Sequence, residues 1–271
     1  MKGRLVVCPT PIGNLEDVTL RVLSSLREAD IVACEDTRRT RTLLDRYGVR
    51  GRLVSYREQN ERERARELVE RMVAGNVVAL VSDAGMPLIS DPGFLLVQAC
   101  VAAGLAVEVL PGPSAVLAAL VASGLPSAQW RFAGFLPRKR GELEAVLRTN
   151  VETLVAFESP KRTGRSLAVL AGIDPARPVA VCRELTKVHE EVLRGTAAEL
   201  AARYAEEDPR GEVALVIGGG KPQGSEESVA LEAVRALVEA GARKRPAAAV
   251  VAKLTGVPAN RLYRGLTEQI D

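Results

Sequence analysis

VVALVSDAGMPLISDPG, residues 77–93, runs from a short apolar stretch straight into a loop of small residues, two prolines and two aspartates. The apolar start has no polar alternation and is short, the pattern of a strand buried on both faces. The loop has a different composition. Gly85 lets the backbone come close to a ligand, and Asp83 and Asp91 offer carboxylates among residues too small to obstruct one. Taken alone, the segment fits either a binding loop suited to a cation or a tight turn with Asp91 capping the next helix.

Similar strands surround it: LVVC at 5–8, IVAC at 31–34, LVSY at 53–56 and AVEVL at 106–110. Helical patterns alternate with them. Residues 17–29 place Val18, Val22, Leu23 and Leu26 on one face, and residues 60–74 place Ala65, Leu68, Val69 and Met72 likewise. Strand-helix repetition predicts a mostly parallel sheet with helices on both faces. Two more strands end in Gly/Pro elbows: PTPIGNLEDVT follows the first, and LPGPSAV follows the fifth, with Ser114 at a helix start. Open α/β sheets bind ligands at that carboxyl edge. The dinucleotide fingerprint GxGxxG is absent, and Pro11 removes an amide that a pyrophosphate would use, so the elbows favour a ligand other than NAD.

A Gly/Pro-punctuated break comes near 111–137, with PGPSA, SGLPS and GFLPRKRG. Beyond it, strands at 153–159, 178–184, 190–196 and 212–219 alternate with helices near 141–149, 161–171 and 196–206, a pattern that predicts a mixed sheet. The linker GGGKPQGSEES then leads to helical patterns at 226–240, 246–254 and 258–268, the last two joined by the turn TGVP. The expected organisation is an α/β domain over 1–118, a second α/β domain over 119–220 and a helical, helix-turn-helix-like tail over 221–271. The tail, with Asn260, Arg261, Tyr263 and Arg264, fits either a nucleic-acid contact or a packing and dimerisation role.

Composition narrows the function classes. Apolar residues make up 47% of the 271 and aromatics only 3%, so the core must be built of Ala, Val and Leu. Cys8, Cys34, Cys100 and Cys182 are far apart and the chain has one histidine, which suggests neither a disulfide framework nor a metal cage. They read as buried thiols. The N-terminal apolar run is too short for a signal peptide and no window approaches a membrane span, so a cytoplasmic protein with no membrane contact is expected. Net charge is only +3, yet Arg38, Arg39, Arg41, Arg46, Arg50, Arg52 and Arg57 crowd one stretch. That stretch fits either a solvated helix and loop or a phosphate-contacting surface.

The elbows resemble those of the tetrapyrrole methylase superfamily, the class III methyltransferases that use S-adenosylmethionine. PTPIGNLEDVTLR, CEDTRRTRTLL, VSDAGMPLISDPG, PGPSAVLAALVASGLP, FAGFLPRKR, FESPKR and RELTKVHEE are similar, in order, to the ribosomal small subunit methyltransferase I family. The resemblance covers about residues 4 to 218, and the tail is similar to that family's small C-terminal domain. It implies a fold of two α/β domains plus a helical tail, a homodimer, and methylation of a cytidine ribose 2'-hydroxyl in 16S rRNA of the small ribosomal subunit. It also implies cofactor contacts from Pro11, Ala84, Gly85, Met86, Ile89, Ser114 and Ala115, with Phe157, Leu185 and Val213 closing over from the second domain. Two positions depart from the family pattern: Met86 stands where members usually carry Thr, and Lys161 where they commonly carry His.

Methyl transfer to a hydroxyl is an in-line displacement in which alignment does most of the work. Candidate catalytic or orienting groups are Glu35 and Asp36 after the second strand, Lys161 as a base or phosphate contact, and His189, the single histidine. Glu184 and Lys187 are expected to shape the cleft. Candidate RNA contacts are Arg38, Arg39, Arg41, Arg162, Lys187, Arg261 and Arg264. Two other functions share the scaffold: methylation of a tetrapyrrole or another small or protein substrate, and noncatalytic RNA binding with a retained cofactor pocket.

Overall fold

The computed structural model describes residues 3–220 and 226–266, so residues 221–225 of the expected linker and the end of the helix expected over 258–268 lie outside the described residues. Five parallel strands, β1 (Arg4–Cys8), β2 (Ile31–Cys34), β3 (Leu53–Ser55), β4 (Val77–Val81) and β5 (Ala106–Val109), form a sheet in the order β3-β2-β4-β1-β5. The unbroken apolar runs of β1, β2 and β4 are buried almost end to end, whereas β3 and β5 form the partly exposed edges.

Helices cover both faces. α1 (Leu20–Glu28) and α2 (Thr37–Arg46) pack on one through Val22, Leu26 and Leu44. α3 (Glu61–Val73) and α4 (Phe94–Ala102) pack on the other through Leu68, Met72 and Leu96. The helix expected over 17–29 starts only at Leu20, because Thr19 Oγ1 accepts from the Val22 amide and fixes the N-terminus there. Right-handed crossovers place α1 and α2 on one face as the chain steps outward, and α3 and α4 on the other as it returns. The chain therefore leaves β1 and β4, neighbours in the sheet, toward opposite faces. A crevice at their carboxyl ends follows from this topology.

The second sheet contains β6 (Trp130–Phe135), β7 (Thr153–Glu158), β8 (Pro178–Arg183), β9 (Glu191–Thr196) and β10 (Val213–Ile217) in the order β6-β7-β10-β8-β9. Only β6 and β7 run parallel; the other pairs are antiparallel, which makes the sheet mixed. The stretch read as a break holds structure of its own: α5 (Ala115–Ser123) and β6. Its strand escaped the sequence pattern because Ala133 and Gly134 interrupt the apolar periodicity of WRFAGF, where the register shifts between Phe132 and Phe135. α6 (Arg140–Thr149), α7 (Pro160–Ile173) and α8 (Ala197–Arg203) cover one face through Leu147, Leu167 and Leu200. α5 covers the other through Val116, Ala119 and Leu120. The division expected between 118 and 119 thus runs through a helix packed on the second sheet. Helices α9 (Glu226–Glu239), α10 (Lys244–Thr255) and α11 (Ala259–Gly265) share a small core of their own, including Val234, Val251 and Leu262. No described helix is long and apolar enough to cross a membrane.

All four cysteines are buried and free, and burial pushes the thiols of Cys8 up to about 12 and of Cys100 and Cys182 up to about 11. They pack as small hydrophobes. The capping of α4 differs from the expectation for Asp91. Gly93 precedes this helix and has no side chain to cap it, so Glu61 Oε1 in the first turn of α3 accepts from the amides of Gly93 at 2.9 Å and Leu95 at 3.3 Å. The same oxygen accepts from the hydroxyl of fully buried Tyr56 at 3.1 Å, and burial with this carboxylate holds that hydroxyl's pKa well above the usual value. E61A therefore removes a cap worth about 1 kcal/mol and strands a buried hydroxyl at about 1 kcal/mol or more. Urea denaturation is expected to show a loss of about 2 kcal/mol for E61A, and a smaller one for E61Q, which keeps an acceptor.

Candidate functional site

The three elbows meet at one point. Thr10 and Gly85 exchange two backbone hydrogen bonds, 2.9 and 3.0 Å long, which tie the loop after β1 to the loop after β4. Thr10 Oγ1 donates to the Ser82 carbonyl at 3.0 Å, and Ser82 Oγ donates to the Gly85 carbonyl at 2.7 Å. Gly85 has φ +82, and a Cβ there would lie 3.2 Å from Ile12 and 3.5 Å from the Pro113 carbonyl, so the third elbow closes on the same residue. The left-handed backbone favours glycine here, and a side chain would crowd Ile12.

The second sheet supplies the opposing wall. The Asn14 amide donates to Thr186 Oγ1 at 3.0 Å, joining the first elbow to the loop after β8. That loop is strained: Glu184 and Thr186 take φ of 49° and 67°, and Leu88 in the fourth-strand loop takes 73°. Among described residues these are the non-glycine positions with positive φ, and they adjoin Ile89 and Leu185, which face the cleft. Glu184 is held in place by Lys187 Nζ at 2.7 Å and the Glu212 amide at 2.9 Å, and these contacts lower its pKa. Lys187 is committed to that network, bonding Glu212 as well.

Between the walls lies a cavity of about 410 Å³. Its lining brings together the expected Ala84, Ala115, Phe157, Leu185 and Val213. Gly85, Met86, Ile89 and Ser114 line a small adjoining cleft that shares Ala84, Asp91, Ala115 and Phe157 with it. Pro11 is buried, and its neighbour Ile12 forms the wall instead. Phe135, Glu158, Ser159, Pro160 and Cys182 also face the cavity. Sequence periodicity gave no signal for these: Glu158 and Cys182 end or sit within strands, Phe135 lies in the stretch read as a break, and Ser159 and Pro160 open α7. Asp91, released from capping by Glu61, lines both spaces. Burial first, then the charges of Glu35 and Asp83, push its carboxyl up to about 6.

The candidate catalytic groups lie outside this lining. Glu35 is half-buried after β2, and burial followed by Asp83 raises its pKa. Asp36 caps α2, accepting from the Arg38 amide at 2.9 Å and from its guanidinium at 2.8 and 3.1 Å, which holds its carboxyl well below the usual range. Asp83 Oδ1 accepts from the Asp36 amide at 2.9 Å, joining this corner to the fourth-strand loop. Lys161 is exposed in the first turn of α7, next to the wall residue Pro160, and His189 is exposed in the turn before β9.

The candidate RNA contacts divide between surface and interior. Arg38, Arg39 and Arg41 are exposed on α2, Arg39 3.8 Å from Asp83, and Arg38 and Arg41 border a shallow depression. Arg261 and Arg264 lie on α11, where Arg245 stacks 5.4 Å from the Tyr263 ring. Arg162 is an internal clamp. One of its terminal nitrogens donates to the Leu136 and Pro137 carbonyls, each at 2.8 Å, and lies 3.1 Å from the carboxylate of fully buried Glu158. Glu158 also accepts from the Ser159 amide and the Ser166 hydroxyl.

Sequence comparison agrees with this geometry. The profile of the Tetrapyrrole (Corrin/Porphyrin) Methylases matches residues 4–201. The chain belongs to that family. Within it, the chain is 46% identical to Ribosomal RNA small subunit methyltransferase I of Mesorhizobium japonicum, over all of this chain and 94% of that one. The protein of the same name from Thermotoga maritima is 43% identical, over 80% of this chain and 99% of its own. Solved structures share the fold. Uroporphyrin-III C-methyl transferase from Thermus thermophilus, complexed with S-adenyl homocysteine, superposes with a TM-score of 0.57 at 23% identity, covering 80% of this chain and 97% of that one. Diphthine synthase gives 0.61 at 16% identity, covering 79% and 89%. The chain is therefore a methyltransferase-family protein of α/β fold.

R162A would leave the Glu158 carboxylate buried without its cation, a change expected to cost about 3 to 5 kcal/mol in urea or thermal unfolding. Full stability with weakened RNA binding would instead make Arg162 a phosphate contact.

Proposed function

We propose that the chain transfers a methyl group from S-adenosylmethionine to the ribose 2'-hydroxyl of a cytidine in 16S rRNA of the small ribosomal subunit. The main support is the single cavity in which three strand-end elbows, pinned at Gly85, face Phe157, Leu185 and Val213 across the cleft. The residues present fit the methyl donor. A cavity of about 410 Å³ is of small-ligand size. Phe157, Leu185 and Ala115 offer apolar walls, and Asp91 offers a carboxylate that no cation of the chain is seen to pair among the described contacts.

When bound, S-adenosylmethionine supplies a methyl group on a positively charged sulfur. Asp91 balances positive charge, the elbows fix position, and the second-sheet wall excludes water. Alignment of this kind supplies about 7 to 11 kcal/mol. The 2'-hydroxyl proton leaves as the methyl arrives, and Glu35, Lys161 and His189 are the candidate acceptors, with Asp36 orienting Arg38 at the RNA side. The Arg38, Arg39 and Arg41 face and the Arg261 and Arg264 helix are assigned to the RNA phosphates, whereas Lys187, expected to join them, is paired with Glu184 and Glu212. A homodimer in the cytoplasm completes the proposal: α4 and α5 expose Phe94, Val101, Leu117 and Val121, an apolar surface that a second copy would cover.

The deciding assay offers labelled S-adenosylmethionine with undermethylated 30S subunits or free 16S RNA. Label on one cytidine ribose is expected; bound cofactor with no label on either RNA would end the proposal. In that assay K161A and H189A are expected to lower kcat by less than about tenfold, since both side chains sit outside the cavity lining. A larger loss would identify the general base.

Asp91 gives the cofactor site a pH signature. A cation beside this carboxyl favours its charged form, so binding expels its proton. Affinity for S-adenosylmethionine measured by calorimetry is expected to rise with pH and level off above about 6, and D91N is expected to flatten the curve. For the unliganded chain the sign reverses. The folded state holds a proton that the unfolded state releases near 3.8, so this site's stabilising contribution is lost as pH rises through about 6.

A further inference from the structure

We propose that Phe135 is the stacking platform for the unstacked nucleobase of the nucleotide being modified, a role that rests on the RNA-methylation function above and names what holds the base. In a regular strand Phe132 and Phe135, three residues apart, point to opposite faces. In β6 they do not. A register shift between them, with Gly134 at φ +66, restores both rings to one side, where they meet Phe157 edge-on at centroid distances of 5.0 and 5.6 Å. Bulges beside active sites commonly re-aim a side chain in this way.

The result is an aromatic ring that lines the cofactor cavity yet remains 62% exposed. Phe157, beneath it, is only partly exposed and Phe132 likewise, so Phe135 forgoes the burial its two neighbours obtain. The backbone that follows the ring is also held firmly. The Leu136 amide donates to the Phe157 carbonyl at 3.1 Å, and Arg162 clamps the carbonyls of Leu136 and Pro137 while anchored on buried Glu158. Just beyond the clamp, Arg138 is exposed, whereas Lys139 and Arg140 are engaged with Glu142 and Glu144. A fixed aromatic face beside an exposed arginine is the arrangement that takes a single-stranded or extruded nucleotide, the base on the ring and the phosphate on the cation. Extrusion is what gives enzymes access to a nucleotide held in a helix. A base on Phe135 keeps its own ribose at the mouth of the methyl-donor cavity.

The test compares wild type with F135A, F135L and F135W, reading the KM for 30S subunits or 16S RNA together with S-adenosylmethionine affinity by calorimetry. F135A and F135L are expected to raise the RNA KM by about tenfold or more, and F135W to stay within about threefold of wild type. Cofactor affinity is expected to stay within about twofold in all three. An unchanged RNA KM in F135A, or a fall in cofactor affinity that matches the loss of activity, would overturn the assignment while leaving RNA methylation intact. A wild type that labels no RNA would overturn the underlying function, and this assignment with it.

Discussion

The paired hydrogen bonds between Thr10 and Gly85 hold the site together. The sheet topology sends the loops after β1 and β4 to opposite faces, and these two bonds bring them back across the crevice that topology opens. Gly85 makes the crossing possible because it accepts a left-handed backbone and leaves room for Ile12 and Pro113. With the two loops fixed, Ala84, Asp91 and Ala115 present one continuous wall.

The buried and half-buried carboxylates around this wall are satisfied in different ways, and the differences assign their roles. Glu61 serves two helix amides and a tyrosine hydroxyl. Glu158 serves an amide, a serine and the Arg162 guanidinium. Both are structural groups engaged by donors of the chain itself. Asp91 has only like charges among the neighbours that shift it, and its raised pKa records the cost of ionising there. A carboxyl in that condition gains most from an incoming cation.

The second sheet contributes through strain and clamping more than through new chemistry. Left-handed Glu184 and Thr186 hold Leu185 against the cavity, and the Thr186 hydroxyl locks the loop to the first elbow. Arg162 performs the equivalent task for the β6 end. The Thr186 contact joins residues 172 positions apart, so the cleft's shape depends on how the two sheets dock.

Much of the fold was legible in the chain. Apolar runs such as VVALV and IVAC marked strands because a sheet covered on both faces leaves no polar alternation, and Gly/Pro elbows marked the loops at the sheet's carboxyl edge because few other residues tolerate such turns. The ordered motifs carried the family. Partners that are distant in sequence were not legible. Nothing local told that Glu61, not Asp91, caps α4, that Arg162 turns inward to a buried glutamate, or that a bulge brings Phe132 and Phe135 to the same side. Element type and the position of the elbows follow from the chain alone, because propensity, periodicity and turn chemistry act over a few residues. Which charges are spent internally and which stay unpaired follows from the docked sheets, because hydrogen-bond and ion-pair partners are chosen by packing across them.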